Sequence, residues 1–468
     1  MRDNPANLSS AKEKKLIFGL LRQKSTRVFP LSLGQQRLWY LDQLHPGIPA
    51  YNVAFGMRLR GNLNRPAIEA SVQEITKRHD ILRSTFKIQA DNLVQIVAAD
   101  SQIKIPALDL RHIADSNREA EAYRIGLAEA QISFDLEAGP VLRLKLIRLR
   151  NDEHVFICVM HHIVCDAWST EVFVRELAAF YEQHIGGQSS PPADLPIQYG
   201  DFAKWQHEWI AGDRLAKQVH YWKQKLAGAP AYLPLPADHL RPLEQTYDGA
   251  SQVILAPNEL IRNMRILCRK WRATLFMVLL AIFKTLLYCY TAVEDILVGV
   301  PVSGRNHVEL EGLIGFFLNI LVIRSSFSGN PRFSDLLLRV REVVLDAFAH
   351  ADLSFDTLVK ELNPPRTLSY SPLVQVMFSV VKAWQFPRLG EITASPYLLR
   401  SRTSIFDISM QVIEDQDDRV WLAMEYSTSL FDSERIATML NQYIMLLKAI
   451  VDQPEARVLE LGLLLKRR

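Results

Sequence analysis

Cysteine is scarce in this 468-residue chain: Cys158, Cys165, Cys268 and Cys289 form neither a CxxC pair nor a dense framework. That excludes a disulfide scaffold and makes a reduced, cytoplasmic setting the expectation. Blocks of like charge are missing. Lys plus Arg (54) against Asp plus Glu (51) leaves +3 over the whole length, so no nucleic acid is an expected partner. Long uncharged apolar runs are missing too. The N-terminal MRDNPANLSSAKEKKLIFGLL mixes charge around an apolar stretch shorter than the roughly 7–15 residues of a signal peptide. ATLFMVLLAIFKTLLYCY (273–290) is the most apolar segment, but Lys284 interrupts it below the ~18–20 residues of a membrane span. A buried core helix is expected there, and no membrane span. No short-period repeat is visible, which excludes solenoids and propellers.

What is present is globular: 49% of residues are hydrophobic and 22% charged. At about 150 residues per domain, the length predicts two or three packing units. Ser32 is placed to cap a helix over LGQQRLWYLDQL, ended by His45-Pro46-Gly47. AYNVAFGMRLRG (50–61) and VLRLKLIRL (141–149) alternate as strands, VFICVM (155–160) reads as a further strand, and a helix is expected from about Ser169 to His184. GGQSSPPA (186–193) has the clearest linker composition. The expected division is therefore 1–28 as a linker or docking segment, 29–193 as an N-terminal lobe and 194–468 as a C-terminal lobe. Helices and strands alternate through both halves, so each is expected to be mixed α/β.

The chemistry concentrates in VFICVMHHIVCDAWSTEVF (155–173). Side chains alternate across a strand, so His161 and His162 should face opposite ways and are poorly placed to share a metal ion. No metal is expected. One histidine can enter a cavity while the other packs behind it, and imidazole titrates near pH 6.5, as general acid–base work requires. Asp166, near the helix start, can satisfy orphan amides or pair with a buried cation. Glu74, Arg78 and Asp80 read as a solvated set of charges at a helix end.

HHIVCDAWS (161–169) resembles the HHxxxDGWS signature of condensation domains of nonribosomal peptide synthetases. LSLGQQRLWYLDQL (31–44), RHDILRSTF (78–86), YGDFAKWQ (199–206), IGFFLNILVIR (314–324), HADLSFDTLV (350–359) and PPRTLSYSPLVQVMF (364–378) resemble the family's other motifs in order. DILVGVPVSGRN (295–306) resembles the segment before the fifth. The resemblance implies an α/β fold of two chloramphenicol acetyltransferase-like lobes, a V-shaped pseudo-dimer with a tunnel at the interface. It implies that His162 is the reactive histidine, that His161 is structural, and that Asp166 makes a salt bridge for which Arg305 is the candidate partner. Ala167, Trp168, Ser303, Gly315 and Asn319, with Arg305, are candidate substrate-binding residues on the same ground. Ala167 departs from the family's glycine. It is strained if the position requires φ > 0, and otherwise adds one methyl group to the donor channel.

The implied reaction joins a donor acyl thioester to the α-amine of an aminoacyl group on a downstream peptidyl carrier protein. No covalent cofactor is implied; phosphopantetheine arms of carrier proteins, or coenzyme A, carry the substrates. The first motif resembles domains that accept an L-configured or achiral donor, and the EGHGRE-like segment of epimerisation domains is not found. Because the first motif comes so early, the donor is expected in trans. That favours a starter, lipid-initiating domain taking fatty acyl groups from coenzyme A or an acyl carrier protein. The alternatives are an elongation domain docked to an upstream peptidyl carrier, or a coenzyme A-dependent acyltransferase on a free small molecule. An adjoining adenylation domain is the expected neighbour in a longer synthetase.

Overall fold

All nine residues of the strand Glu153–His161 are buried, which explains why its sequence is a continuous apolar run rather than an alternating one. It is the central strand of a five-stranded sheet ordered Thr393–Tyr397, Asn52–Arg60, Glu153–His161, Leu142–Arg150, Ala107–Asp109. Both neighbours are antiparallel to it, and the register pairs His161 with Asn52 and Met160 with Leu142. Asp115–Gln131 packs on this sheet, and Arg65–Arg78 packs against Ala167–His184. A small antiparallel sheet of Val28–Pro30, Asn92–Val97 and Ser84–Gln89 completes the first unit's strands.

The structure is a computed structural model that describes residues 28–465 apart from 101–102, 188–189, 191, 366 and 401. The linker or docking segment expected over 1–28 lies outside the described residues except for Val28. The chain forms two compact units. The first runs to Arg214 and takes in two later segments, Arg305–Leu318 and Gln385–Leu399. The second holds Leu215–Gly304, Asn319–Trp384 and the chain from Arg400.

The units therefore do not follow the division expected at 193/194. The helix Tyr199–Trp209 stays with the first unit because Gln206 accepts a hydrogen bond from Leu33 N and His207 binds the Leu31 carbonyl. Thr393–Tyr397 returns to pair with Asn52–Arg60, from Thr393 opposite Arg60 to Tyr397 opposite Gly56. Linker composition is a local signal, whereas the units are set by contacts between distant segments.

The second unit has a six-stranded sheet, ordered Leu318–Ser326, Asp295–Ser303, Val376–Lys382, Ile408–Glu414, Val420–Ser427, Gly249–Leu255. Val376–Lys382 runs parallel to both neighbours, and the last two pairings are antiparallel. The apolar segment expected as a core helix is Leu275–Thr291, with a buried run from Met277 to Leu287. Lys284 inside it donates to the carbonyls of Ile296 (3.0 Å) and Ile323 (2.6 Å), and burial pushes its amine down to about 7. Among the described residues no single helix is long and apolar enough to cross a membrane. Each unit is mixed α/β, as expected.

Candidate active site

The turn after the central strand is built by its own side chains and by one helix from elsewhere. His161 ends the strand and accepts a hydrogen bond from Ile163 N at 3.1 Å through Nδ1, capping the single 3-10 turn His162–Val164. Gln35, buried in the helix Leu33–Leu44, donates to the Ile163 carbonyl at 2.9 Å. That helix starts as expected at Ser32, whose hydroxyl accepts from Gln35 N while Gln35 Oε1 accepts from Ser32 N.

The two histidines have different surroundings. His161 is 3% exposed and lies near the rings of Tyr51 and Phe134. Burial, with smaller contributions from the charges of His162 and Arg143, pushes its imidazole down to about 3, so it stays neutral. His162 is half-buried, and its Nδ1 lies 2.6 Å from the Cys165 carbonyl oxygen. A carbonyl only accepts, so Nδ1 carries the proton and Nε2 keeps its lone pair. Burial lowers the His162 pKa, and Arg37 acts in the same direction; the Cys165 carbonyl and Asp166 oppose them. The result is an imidazole that is neutral at pH 7 with one basic nitrogen.

Asp166 caps the helix Ala167–His184 and is 4% exposed. Its Oδ1 accepts from Ser169 N (2.8 Å), Ser169 Oγ (2.7 Å) and Arg305 Nη2 (3.1 Å), and Oδ2 accepts from Phe317 N (3.2 Å). Arg305 also donates to Ser169 Oγ (2.9 Å) and the Leu313 carbonyl (2.8 Å), and lies 4.0 Å from the Phe317 ring centroid. The ion pair expected between Asp166 and Arg305 is therefore present and enclosed. An ion pair so enclosed needs all of these hydrogen bonds to offset its desolvation.

Ala167 is the first residue of that helix, exposed, and without a positive φ. The strained alternative for alanine is therefore excluded. Trp168 is 42% exposed and donates from Nε1 to the Glu311 carbonyl at 2.8 Å. Gly315 lies in the loop before the strand Leu318–Ser326. What approaches its backbone closely is Tyr199: a Cβ on Gly315 would stand 2.0 Å from that ring.

Ser303 and Asn319 belong to the second unit. Ser303 ends the strand Asp295–Ser303 and is exposed. Asn319 donates to the carbonyls of Ala351 (2.9 Å) and Leu353 (2.8 Å) and accepts from Ile320 N and Phe355 N. All four bonding positions of its amide are used within the protein, so it ties the start of this strand to the segment 351–355. Among the described residues no group of three or more His, Cys, Asp or Glu could hold a metal ion.

Sequence reasoning missed the residues that assemble this cluster. Tyr199 donates to the Phe316 carbonyl (2.6 Å) and pairs with Ser32 Oγ (2.8 Å), and burial raises its phenol. Arg78 is not solvated: it donates to Glu176 at 2.9 Å, and His79 Nε2 lies 2.8 Å from the same carboxylate. The other nitrogen of His79 accepts from Ile314 N. Phe316 stands edge-on to His162, centroids 5.1 Å apart. Their positions inside the recognised motifs are the only signal the sequence carries for them.

The chain matches the family model described as Condensation domain over residues 25–468. It is 43% identical over 442 residues to one of the linear gramicidin synthase proteins of Brevibacillus parabrevis, covering 93% of this chain and 8% of that protein. Chondramide synthase cmdD of Chondromyces crocatus is 39% identical over 438 residues, covering 93% and 11%. The chain thus spans a small fraction of the length of these relatives. Among solved structures, the X-domain from teicoplanin biosynthesis matches with a TM-score of 0.85 at 25% identity, covering 94% of this chain and 98% of that one. The starter condensation domain of rhizomide synthetase matches with 0.79 at 18%, covering 92% and 96%.

Proposed function

The chain belongs to the condensation-domain family, acyl-transferring enzymes of nonribosomal peptide synthetases, and from that premise we propose that it joins a donor acyl thioester to the α-amine of an aminoacyl group on a peptidyl carrier protein. The observation that carries this reading is the His162 tautomer: Nδ1–H is engaged by the Cys165 carbonyl, which leaves Nε2 as the acceptor. The amine attacks the thioester carbonyl, the C–N bond forms, and the C–S bond breaks. Nε2 takes the proton that nitrogen loses and returns it to the departing phosphopantetheine thiolate. An α-amine titrates near 7.7–8.0, so a neutral imidazole beside it at pH 7 is matched to that transfer. Cys165 carries no acyl group, because it is buried and its thiol is pushed well above the ordinary range.

The relatives shift the donor away from the fatty acyl group expected from the sequence. Three linear gramicidin synthase proteins are 41–43% identical to the chain. The rhizomide starter domain stands at 18%, which speaks for the fold alone. We therefore favour an aminoacyl or peptidyl donor on an upstream carrier protein, inside a cytoplasmic synthetase that also supplies the adenylation domain. Intact-mass measurement decides between the donors. An aminoacyl-loaded acceptor carrier is offered either an aminoacyl-loaded donor carrier or octanoyl-coenzyme A, with His162→Ala as control. A dipeptidyl mass on the acceptor, lost in the control, is the expected result. An octanoyl mass alone would establish the starter role instead, and no transfer from either donor would sink amide formation.

A further inference from the structure

We propose that Phe316 is a positioning residue for His162, and that the Asp166–Ser169–Tyr199 cluster acts on the imidazole by holding this ring. The proposal rests on the reading of His162 as the proton acceptor.

The His162 ring is anchored by a hydrogen bond from Nδ1 to the Cys165 carbonyl. That bond sets the tautomer but does not by itself stop the ring plane from tilting about it. The Phe316 ring meets the imidazole at 82° between planes, with centroids 5.1 Å apart, and takes up that freedom.

Phe316 is 9% exposed, and the backbone around it is bound residue by residue to side chains of the first unit. Ile314 N donates to His79 Nδ1 (3.3 Å) and Gly315 N to Ser169 Oγ (3.0 Å). The Phe316 carbonyl accepts from Tyr199 (2.6 Å), and Phe317 N donates to Asp166 (3.2 Å). Buried backbone groups in a loop need partners of some kind, so satisfaction alone would account for the bonds. It does not account for Gly34. A Cβ there would stand 2.7 Å from Cε1 and 2.9 Å from Cδ1 of Phe316. Glycine is disfavoured in a helix relative to alanine, yet the Phe316 ring leaves no room for a methyl group. The ring is thus held against Gly34 on one side and meets the His162 imidazole on another.

The test uses Phe316→Leu, Phe316→Tyr, Gly34→Ala and the double variant Gly34→Ala/Phe316→Leu in the full chain. Turnover of loaded carriers is read together with the ¹⁵N resonances of the His162 imidazole, assigned by their loss in His162→Gln. Phe316→Leu and Gly34→Ala should each lower kcat by about 10- to 100-fold with KM nearly unchanged, as small misplacements of a reacting group do. Phe316→Tyr keeps the ring and should restore turnover. The double variant should be no slower than Phe316→Leu alone, since Gly34 acts only through the ring. In both slow variants the imidazole should keep its Nδ1–H tautomer, while its resonances shift and broaden as the ring tilts about the bond to the Cys165 carbonyl. Wild-type kcat and unshifted resonances in Phe316→Leu would overturn the proposal, as would multiplicative losses in the double variant. If the wild-type protein forms no amide, the functional reading fails, and the resonances still decide whether Phe316 orients His162.

Discussion

Two adjacent histidines of identical chemistry are separated here by what their Nδ1 atoms meet. At His161 the partner is a donor, Ile163 N; at His162 it is an acceptor, the Cys165 carbonyl. The same contacts leave His161 with its Nδ1 lone pair engaged and His162 with its Nε2 lone pair as the acceptor that the proposed proton transfer requires. Linkage makes the difference measurable. The His161 imidazole is held near 3 by burial, against about 6.5 in an unfolded chain. Above pH 6.5 both states are neutral there and stability is unaffected. Between 6.5 and 3 the unfolded chain takes up a proton that the native protein refuses, so stability falls with pH, by up to about 1.4 kcal/mol per unit. His161→Asn, which keeps an acceptor for Ile163 N, should show a shallower fall in denaturation midpoint between pH 6.5 and 5 than the wild type. Parallel slopes would place the acid sensitivity elsewhere. Ala167 is a second residue-scale case. It starts a helix with no positive φ, so Ala167→Gly should lower stability by up to about 1 kcal/mol without raising turnover. Thermal denaturation and the carrier assay check both halves of that expectation.

The strand Glu153–His161 and the helix Ala167–His184 are legible in the sequence because their signals are local: a continuous apolar run, an Asp cap and an amphipathic stripe. The sequence predicts a helix start near Ser169; the helix begins at Ala167, with Asp166 as the cap. The segment 313–317 is not legible in the same way. The sequence predicts a strand near 315–323, yet the strand starts at Leu318 and the residues just before it form a buried loop. Its partners, His79, Ser169, Asp166 and Tyr199, lie more than a hundred residues away, and no periodicity encodes such pairings. At Gly315 the group that comes close to the backbone is an aromatic ring of the protein itself. Gly315→Ala is therefore expected to destabilise by about 1–3 kcal/mol through overpacking, or to displace the loop and slow the reaction through Phe316. Calorimetry and turnover together test this. An unchanged melting temperature with full activity would mean that the Tyr199 ring moves aside without consequence.

At the scale of the whole chain, the candidate site depends on segments that the sequence order keeps apart. The first unit includes Arg305–Leu318, which brings Arg305 to Asp166, and Gln385–Leu399, which brings a fifth strand to the sheet. A fragment ending at residue 214 would leave the Asn52–Arg60 strand as an open edge and Asp166 as a buried carboxylate without its cation. Breaking a buried pair by removing one partner costs about 3–5 kcal/mol, against a total of about 5–15 kcal/mol for a domain. The exposed edge also offers unpaired amides and carbonyls to other chains. Residues 28–214 expressed alone are therefore expected to aggregate or to unfold without a sharp transition, although they contain His161, His162 and Asp166. Co-expression with residues 215–468 should recover soluble protein, because the complement carries both returning segments. Circular dichroism melts and gel filtration of the fragment, with and without its complement, read the outcome. A monomeric fragment with a sharp melt of its own would show that the returning segments only decorate a unit already stable without them.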